Sequence, residues 1–181
     1  MLIGMVARFT PGKGHEEFIE AAAGLNNKFD NLHFIIVGEA SRGEDEYADK
    51  IKSYAEKLHL NNLTFTGYRS DIPNILASMD IFVFPSHSEA FGIALIEAMA
   101  MEKPCVCSAA DGVLDIVVDG KTGYLFEKRN AADLMDKLTQ LIQNPDIRQA
   151  FGKEARKRVV ENFEIEMVTD KVCSLYEQLT H

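Results

Sequence analysis

Residues 81–101 have the sequence IFVFPSHSEAFGIALIEAMAM, in which a strand pattern passes into a helix pattern. Its first four residues are apolar and typical of strands, and we predict a strand over 81–86. From Phe91 onward the apolar residues fit a helix, which we predict over 91–101. Strand followed by helix is the repeating unit of α/β folds.

The same alternation continues on both sides of this stretch, and the strand runs are apolar without alternation, which indicates burial on both faces. We therefore predict an α/β fold: a doubly wound, Rossmann-like parallel sheet of about six strands flanked by helices, with extra C-terminal helices, in a single domain over 1–181. The other predicted strands are 2–9, 32–38, 62–67, 104–109 and 123–126, with 81–86 for the quoted one. The other predicted helices are 14–29, 44–60, 70–79, 112–118, 131–143, 145–161 and 165–179.

Charge and composition exclude several classes of protein. The net charge of −9 argues against a non-specific nucleic-acid binder, which needs a basic face. No run of about 18 apolar residues and no basic signal-peptide start are present, so we expect a cytoplasmic protein without a membrane contact of its own. The three cysteines, Cys105, Cys107 and Cys173, are interpreted as small buried hydrophobic residues.

Ligands of open α/β sheets bind at the carboxyl ends of the strands, where the loop ARFTPGKGH (7–15) follows the first strand. This loop lacks the Gly-Lys-Ser/Thr of a Walker motif, and Glu17 stands where a dinucleotide-binding pattern needs its third glycine. Arg8 and Lys13 in a glycine-rich turn before a helix favour a phosphate ligand. The same two cations also fit surface charges on a tight turn.

Two glutamates flank the start of the predicted helix over 91–101. Glu89 and Glu97 would lie about 12 Å apart along the axis and about 80° apart around it. Carboxylates accept hydrogen bonds from hydroxyl pairs, and the first N–H groups of a helix suit an anion. The pattern indicates an elongated ligand with hydroxyls at both ends and a charged middle. Alternatively, Glu89 is a helix N-terminal charge and Glu97 an exposed helix residue, although the apolar neighbours of Glu97 favour a partner for it.

Several motifs together resemble the C-terminal, donor-binding domain of retaining glycosyltransferases of the group 1 family (family 4), which is one half of a GT-B fold. The resemblance covers nearly the whole chain. Its motifs are ARFTPGKG, the VG after the second strand, TGYRSD, FPSHSEAFGIALIEAMA, KPCV and VDGKTGYLF.

The resemblance implies a role for each matching residue. Arg8 and Lys13 would contact the donor diphosphate, Glu89 the hydroxyls of the transferred sugar, and Glu97 the ribose. Arg8, Lys13 and Glu89 would be the catalytic set. The remaining donor-binding residues would be Tyr68 and Arg69 near the base, and Ala90, Phe91, Gly92 and Ile93 near sugar and phosphate.

Two positions depart from the family pattern: Ala7 stands where glycine is frequent, and Asp111 stands in a loop that often begins Gly-Gly. The resemblance implies a nucleotide-sugar donor, no cofactor and no metal. It also implies an N-terminal acceptor domain that is absent from this chain, so the chain alone is expected to be inactive. Two alternatives stay open: a non-catalytic nucleotide-sugar-binding module or partner subunit, and another GT-B-like enzyme such as an epimerase or a phosphorylase.

Overall fold

The computed structural model describes residues 1–179 and contains one six-stranded sheet, with the strand order β3-β2-β1-β4-β5-β6 and every pair parallel. The strands are β1 Leu2–Val6, β2 His33–Val37, β3 Leu63–Phe65, β4 Ile81–Phe84, β5 Cys105–Ser108 and β6 Gly123–Phe126. The helices are α1 His15–Asn26, α2 Asp45–Lys57, α3 Ile72–Ser78, α4 Ile93–Ala100, α5 Val113–Ile116, α6 Ala131–Gln143, α7 Pro145–Asn162 and α8 Ile165–Leu179.

All predicted strands and helices are present, and most are shorter than predicted at their ends. Helix α4 begins at Ile93 rather than at Phe91, because Gly92 has a φ of 80°, a left-handed conformation that cannot continue a right-handed helix. Helix α1 likewise begins after Gly14, which has a φ of 77°. Strand β4 ends at Phe84, immediately before Pro85.

The sheet separates two hydrophobic layers, as burial on both faces requires. In β4, Ile81 and Val83 pack into the layer under α1, α2 and α6, whereas Phe82 packs into the layer under α3, α4, α5 and α7. This division follows from the period of two along a strand. Cys105 and Cys107 share the second layer and are fully buried, as predicted.

The last helix differs from the others because none of its residues is buried. Cys173 is exposed there, so the prediction that it is a buried hydrophobic residue was wrong. Periodicity identifies the apolar side of a helix but not whether another element covers it, and Ile165 and Leu175 are 75% and 55% exposed. Within residues 1–179, no helix combines the length and apolarity that crossing a bilayer would need.

The strand order reverses between β1 and β4, which lie side by side in the middle of the sheet. The connections that follow these two strands therefore leave the sheet in opposite directions and open a crevice at its carboxyl edge. Those connections are residues 7–14 and 85–92, which contain the two motifs that the sequence singled out.

Two glycines within helices pack closely against neighbouring residues. A Cβ on Gly152 of α7 would lie 2.2 Å from the Glu102 backbone oxygen, whereas a Cβ on Gly24 of α1 would lie 2.5 Å from the flexible Met135 thioether. We expect Gly152→Ala to lower the free energy of unfolding by about 1–3 kcal/mol through overpacking. Gly24→Ala is the matched control and should be within about 1 kcal/mol of wild type, since helix propensity offsets a small side-chain shift. Urea unfolding measures both, and equal effects would contradict the packing described for α7.

Candidate functional site

Two adjoining pockets lie at the crevice between the β1 and β4 connections. The larger has a volume of about 540 Å³ and the smaller about 290 Å³. Arg8 and Ile93 line both pockets, so the two form one continuous site. Every predicted site residue lines one or both of them: Arg8, Lys13, Tyr68, Arg69, Glu89, Ala90, Phe91, Gly92, Ile93 and Glu97.

A glycine brings the two connections into contact. Gly14, whose φ is 77°, packs so closely that a Cβ there would lie 2.2 Å from the Pro85 backbone oxygen. A residue with a side chain would therefore push the β1–α1 turn away from the β4–α4 connection. The close approach lets Lys13 Nζ reach Glu89 Oε2 at 2.7 Å, across 76 positions of the chain.

Lys13 and Glu89 form an ion pair in the wall of the smaller pocket. Their side chains are 25% and 21% exposed, so solvent screens the pair only in part. Ser86 Oγ also donates to Glu89 Oε2, at 3.4 Å. The pair places a cation and a carboxylate side by side, each within reach of a ligand that enters the pocket.

Helix α4 presents its amino end to the same pocket. Its hydrogen bonding starts with the N–H of Leu95, which donates to the Gly92 oxygen at 3.0 Å. Across residues 1–179, no protein acceptor is found for the N–H groups of the four preceding positions, Phe91, Gly92, Ile93 and Ala94. All four residues line the smaller pocket. Unpaired N–H groups and the helix dipole make such an end attractive to an anion.

The larger pocket extends along the other face of the crevice and is mostly apolar. Tyr68 is 69% exposed at its edge, and Arg8 Nη1 donates to Ser41 Oγ at 3.2 Å. Glu97 lines this pocket with an exposed side chain, and its carboxylate has no hydrogen bond or ion pair to another residue of the described chain. Glu97 therefore occupies the exposed helix position that the sequence left open as an alternative, where solvent hydrates the carboxylate.

Arg69 is engaged within its own loop at the far end of the larger pocket. Its guanidinium donates to both oxygens of Asp71, at 2.8 and 2.7 Å, and these hydrogen bonds hold the pKa of the Asp71 carboxyl below its usual value. This bidentate contact gives the guanidinium a fixed orientation. Arg69 therefore contributes a positioned cation to the pocket wall.

The connection after β5 fixes the segment that carries Glu89. The N–H of Gly112 donates to the Glu89 backbone oxygen at 3.0 Å, and Ser88 Oγ donates to Asp111 Oδ2 at 2.6 Å. The hydrogen bond from Ser88 lowers the pKa of Asp111. A Cβ on Gly112 would lie 2.5 Å from the Ala90 oxygen, so the glycine is needed for this approach. Asp111, one of the two departures from the family pattern, thus helps to hold the segment that carries Glu89 through its hydrogen bond from Ser88.

Sequence reasoning missed a third contact between the β1 and β4 sides. His87 Nε2 lies 2.7 Å from Glu17 Oε1, although the sequence identified Glu17 only as a mismatch to the dinucleotide-binding pattern. One signal was available: Glu17 lies four positions before Ala21 and eight before Leu25, on the buried side of α1. Among residues 1–179, no group of three or more His, Cys, Asp or Glu side chains is placed to hold a metal ion.

The sequence and the fold both identify the class of protein. Residues 1–158 match the sequence profile of the family described as Glycosyl transferases group 1, and the chain belongs to that family. It corresponds to the family's C-terminal domain, because it covers less than half of a longer relative and of a longer solved structure but 86% of a crystallised C-terminal domain of a group 1 protein.

One curated relative and two solved structures illustrate the extent of the similarity. The chain is 30% identical to the capsular polysaccharide biosynthesis glycosyltransferase CapM of Staphylococcus aureus, over 97% of this chain and 45% of CapM. It resembles the crystal structure of Anabaena HepE in complex with UDP and glucose, with a TM-score of 0.91, 26% identity, and coverage of 97% of this chain and 48% of HepE. A crystal structure of the C-terminal domain of the group 1 protein LpcC from Francisella tularensis has a TM-score of 0.83 and 28% identity, covering 91% of this chain and 86% of that one.

His15, directly after the site's glycine turn, is fully buried. Its ring stacks on Phe9 with centroids 4.6 Å apart, and Tyr47 Oη lies 3.4 Å from Nδ1. Burial lowers the pKa of His15 to about 4; neighbouring Glu16 opposes this shift and Lys13 adds to it. The folded protein therefore holds a neutral imidazole under conditions in which the unfolded chain takes up a proton.

This burial predicts a pH dependence of stability. Because the pKa of His15 is lower in the folded state, its contribution is complete above about pH 6.5 and is lost as the pH falls toward 4, by about 3 kcal/mol. We expect His15→Leu to flatten the dependence of unfolding free energy on pH between pH 4 and 6.5, measured by urea unfolding. His59→Asn, at an exposed histidine, is the control and should keep the wild-type slope. An unchanged slope in His15→Leu would contradict the assignment.

Proposed function

We propose that this chain is the donor-binding half of a retaining glycosyltransferase that moves a hexosyl group from a nucleoside diphosphate sugar to an acceptor hydroxyl. One observation carries the proposal. Lys13 and Glu89 meet at 2.7 Å beside the amino end of α4, where four consecutive N–H groups have no acceptor within the described chain. A cation, a carboxylate and free N–H groups at one point suit a ligand that joins a phosphate to a hydroxylated ring.

In this proposal each of the two pockets binds a different part of the donor. The larger, mostly apolar pocket receives the nucleoside, with Tyr68 and Arg69 near the base and Glu97 on the ribose hydroxyls. The smaller pocket receives the diphosphate and the sugar. HepE supports a nucleotide-sugar donor, since it has been crystallised with UDP and with UDP-glucose and shares the fold of this chain at TM-scores of 0.92.

The chemical step follows from where charge develops. Cleavage of the bond between sugar and diphosphate builds negative charge on the leaving phosphate and positive charge on the anomeric carbon. In our proposal Arg8, Lys13 and the N–H groups of residues 91–94 stabilise the leaving group as preplaced charges. No metal and no cofactor are part of the proposal. Glu89 orients the sugar through its hydroxyls and is not assigned as a nucleophile.

The acceptor lies outside this chain in the proposed reaction. In the two-domain relatives the chain corresponds to about half of the polypeptide, so a complete active site would include an acceptor-binding domain. The group that deprotonates the acceptor hydroxyl would come from that domain or from the acceptor itself. We accordingly propose that this chain alone binds donor but does not transfer sugar.

The first test of the function is a calorimetric titration of the chain with UDP, GDP, ADP and their sugars. We expect one nucleoside diphosphate series to bind, and Lys13→Ala and Glu97→Ala each to weaken it by about tenfold or more, since each removes a charge-assisted hydrogen bond. Lys28→Ala and Glu56→Ala remove exposed charges of the same type away from the pockets and serve as matched controls. Binding that both site variants leave unchanged would reject the residue assignment, and no binding of any nucleotide would reject the function.

The ion pair predicts an opposite effect at Glu89. Because Glu89 partly neutralises Lys13, Glu89→Gln should free the ammonium for a phosphate and tighten binding of the nucleoside diphosphate alone by about two- to fivefold. The same variant should weaken the extra affinity that the sugar adds. Glu56→Gln is the control for the change in net charge. Weaker binding of the nucleoside diphosphate to Glu89→Gln would show that the pair does not compete with the ligand.

A further inference from the structure

A partly buried pair of side chains, Glu17 and His87, joins the two connections that form the site. His87 Nε2 lies 2.7 Å from Glu17 Oε1, and the two side chains are only 18% and 11% exposed. Glu17 belongs to the first turn of α1, and His87 to the connection after β4. The backbone N–H of His87 also donates to the Gly12 oxygen, at 2.8 Å. His87 thus contacts the β1–α1 side with both its ring and its backbone.

The partners of His87 specify which ring nitrogen carries the hydrogen. A carboxylate accepts hydrogen bonds, so the Nε2 atom that faces Glu17 must donate. Arg129 Nε donates to Nδ1 at 3.4 Å, so that nitrogen must accept. A ring hydrogen on Nε2 satisfies both neighbours, whereas a hydrogen on Nδ1 would face the guanidinium donor. The ring is therefore held in one tautomer and one orientation.

Packing alone does not account for Glu17. The residue is 8% exposed on the buried side of α1, and its Oε2 atom is buried without a hydrogen-bond partner in the described chain. A buried carboxylate with one unpaired oxygen costs stability compared with an apolar side chain of similar size. The contact that Glu17 makes with His87 gives the residue a role that an apolar side chain could not fill.

Lys13 lies between the two points at which the β1–α1 turn is attached. On one side, Gly12 accepts the hydrogen bond from His87, and on the other, Gly14 packs against Pro85. Glu89, the partner of Lys13, follows His87 by two residues. A displacement of His87 would therefore move the backbone on both sides of the Lys13–Glu89 pair, and a small displacement of a binding group has a large effect on a preorganised site.

We propose that Glu17 and His87 are positioning residues that hold Lys13 against the amino end of α4, so that the ammonium meets the donor's diphosphate. The inference rests on the proposed function and adds residues that do not touch the ligand themselves. It assigns the control of phosphate affinity to the partly buried Glu17–His87 contact.

The test compares a diphosphate with a monophosphate. We would titrate UDP and UMP, or the corresponding pair for whichever nucleobase the wild-type chain binds, into wild type, Glu17→Leu and His87→Leu. We expect both leucine variants to lose about tenfold in affinity for UDP and less than twofold for UMP. Glu17→Gln and His87→Gln keep a hydrogen bond between the two positions and should recover most of the UDP affinity.

A structural control separates positioning from general destabilisation. Leu25→Ala, in the buried core of α1, should lower the melting temperature but keep the wild-type ratio of UDP to UMP affinity. Glu17→Leu should have the reverse effect: a changed ratio with a melting temperature that is equal to wild type or higher. If the leucine variants lose UDP and UMP affinity equally and have a lower melting temperature, the Glu17–His87 contact only stabilises the fold, and the proposal is overturned.

The tautomer provides a readout that needs no ligand. Long-range ¹H–¹⁵N correlation spectra should show His87, identified by its absence in His87→Gln, with its ring hydrogen on Nε2, and this preference should be lost in Glu17→Leu. A wild-type ring protonated at Nδ1 would overturn the proposal. If wild type binds UDP but the ratio is unchanged in both leucine variants, only this inference fails. If wild type binds no nucleoside diphosphate, the proposed function fails and the inference fails with it.

Discussion

The contact between Gly14 and Pro85 is the constraint on which the site depends. The strand order places β1 beside β4, and the absence of a side chain at Gly14 lets the loops after these strands touch. Lys13 and Glu89 come within 2.7 Å of each other only because of this contact. The hydrogen bonds from His87 and Gly112 then hold the two loops and the Glu89 backbone in place. The electrostatic properties of the site therefore depend on how closely the backbones of the two loops pack.

The chain has a net charge of −9, so its overall field does not attract an anion. In the proposed function, attraction for a phosphate would come from a few groups at short range: Arg8, Lys13 and the N–H groups at the amino end of α4. A local arrangement of this kind also gives selectivity. The carboxylate of Glu89 beside Lys13 would disfavour a bare anion and favour a ligand that supplies hydroxyls for the carboxylate as well as phosphate for the cation.

Much of the fold and of the pocket lining could be predicted from the sequence, because strands, turns and helix starts are local patterns. Arg8, Glu89 and Gly92 lie at strand ends and helix starts, and parallel strands bring such positions to one edge of a sheet. Burial on the faces of helices could not be predicted in the same way. Cys173 is exposed although its helix has an apolar side, and Glu97 is hydrated although its neighbours in sequence are apolar.

The sequence by itself determined the alternation of strands and helices, the glycine turns and the residues that would line a crevice, since each depends on neighbours within a few positions. Only the tertiary structure decided which charges pair. Lys13 meets Glu89, and Glu17 meets His87, over separations of 76 and 70 residues. Whether such distant side chains meet depends on strand order and on approaches of a few ångströms between backbones, which no local pattern encodes.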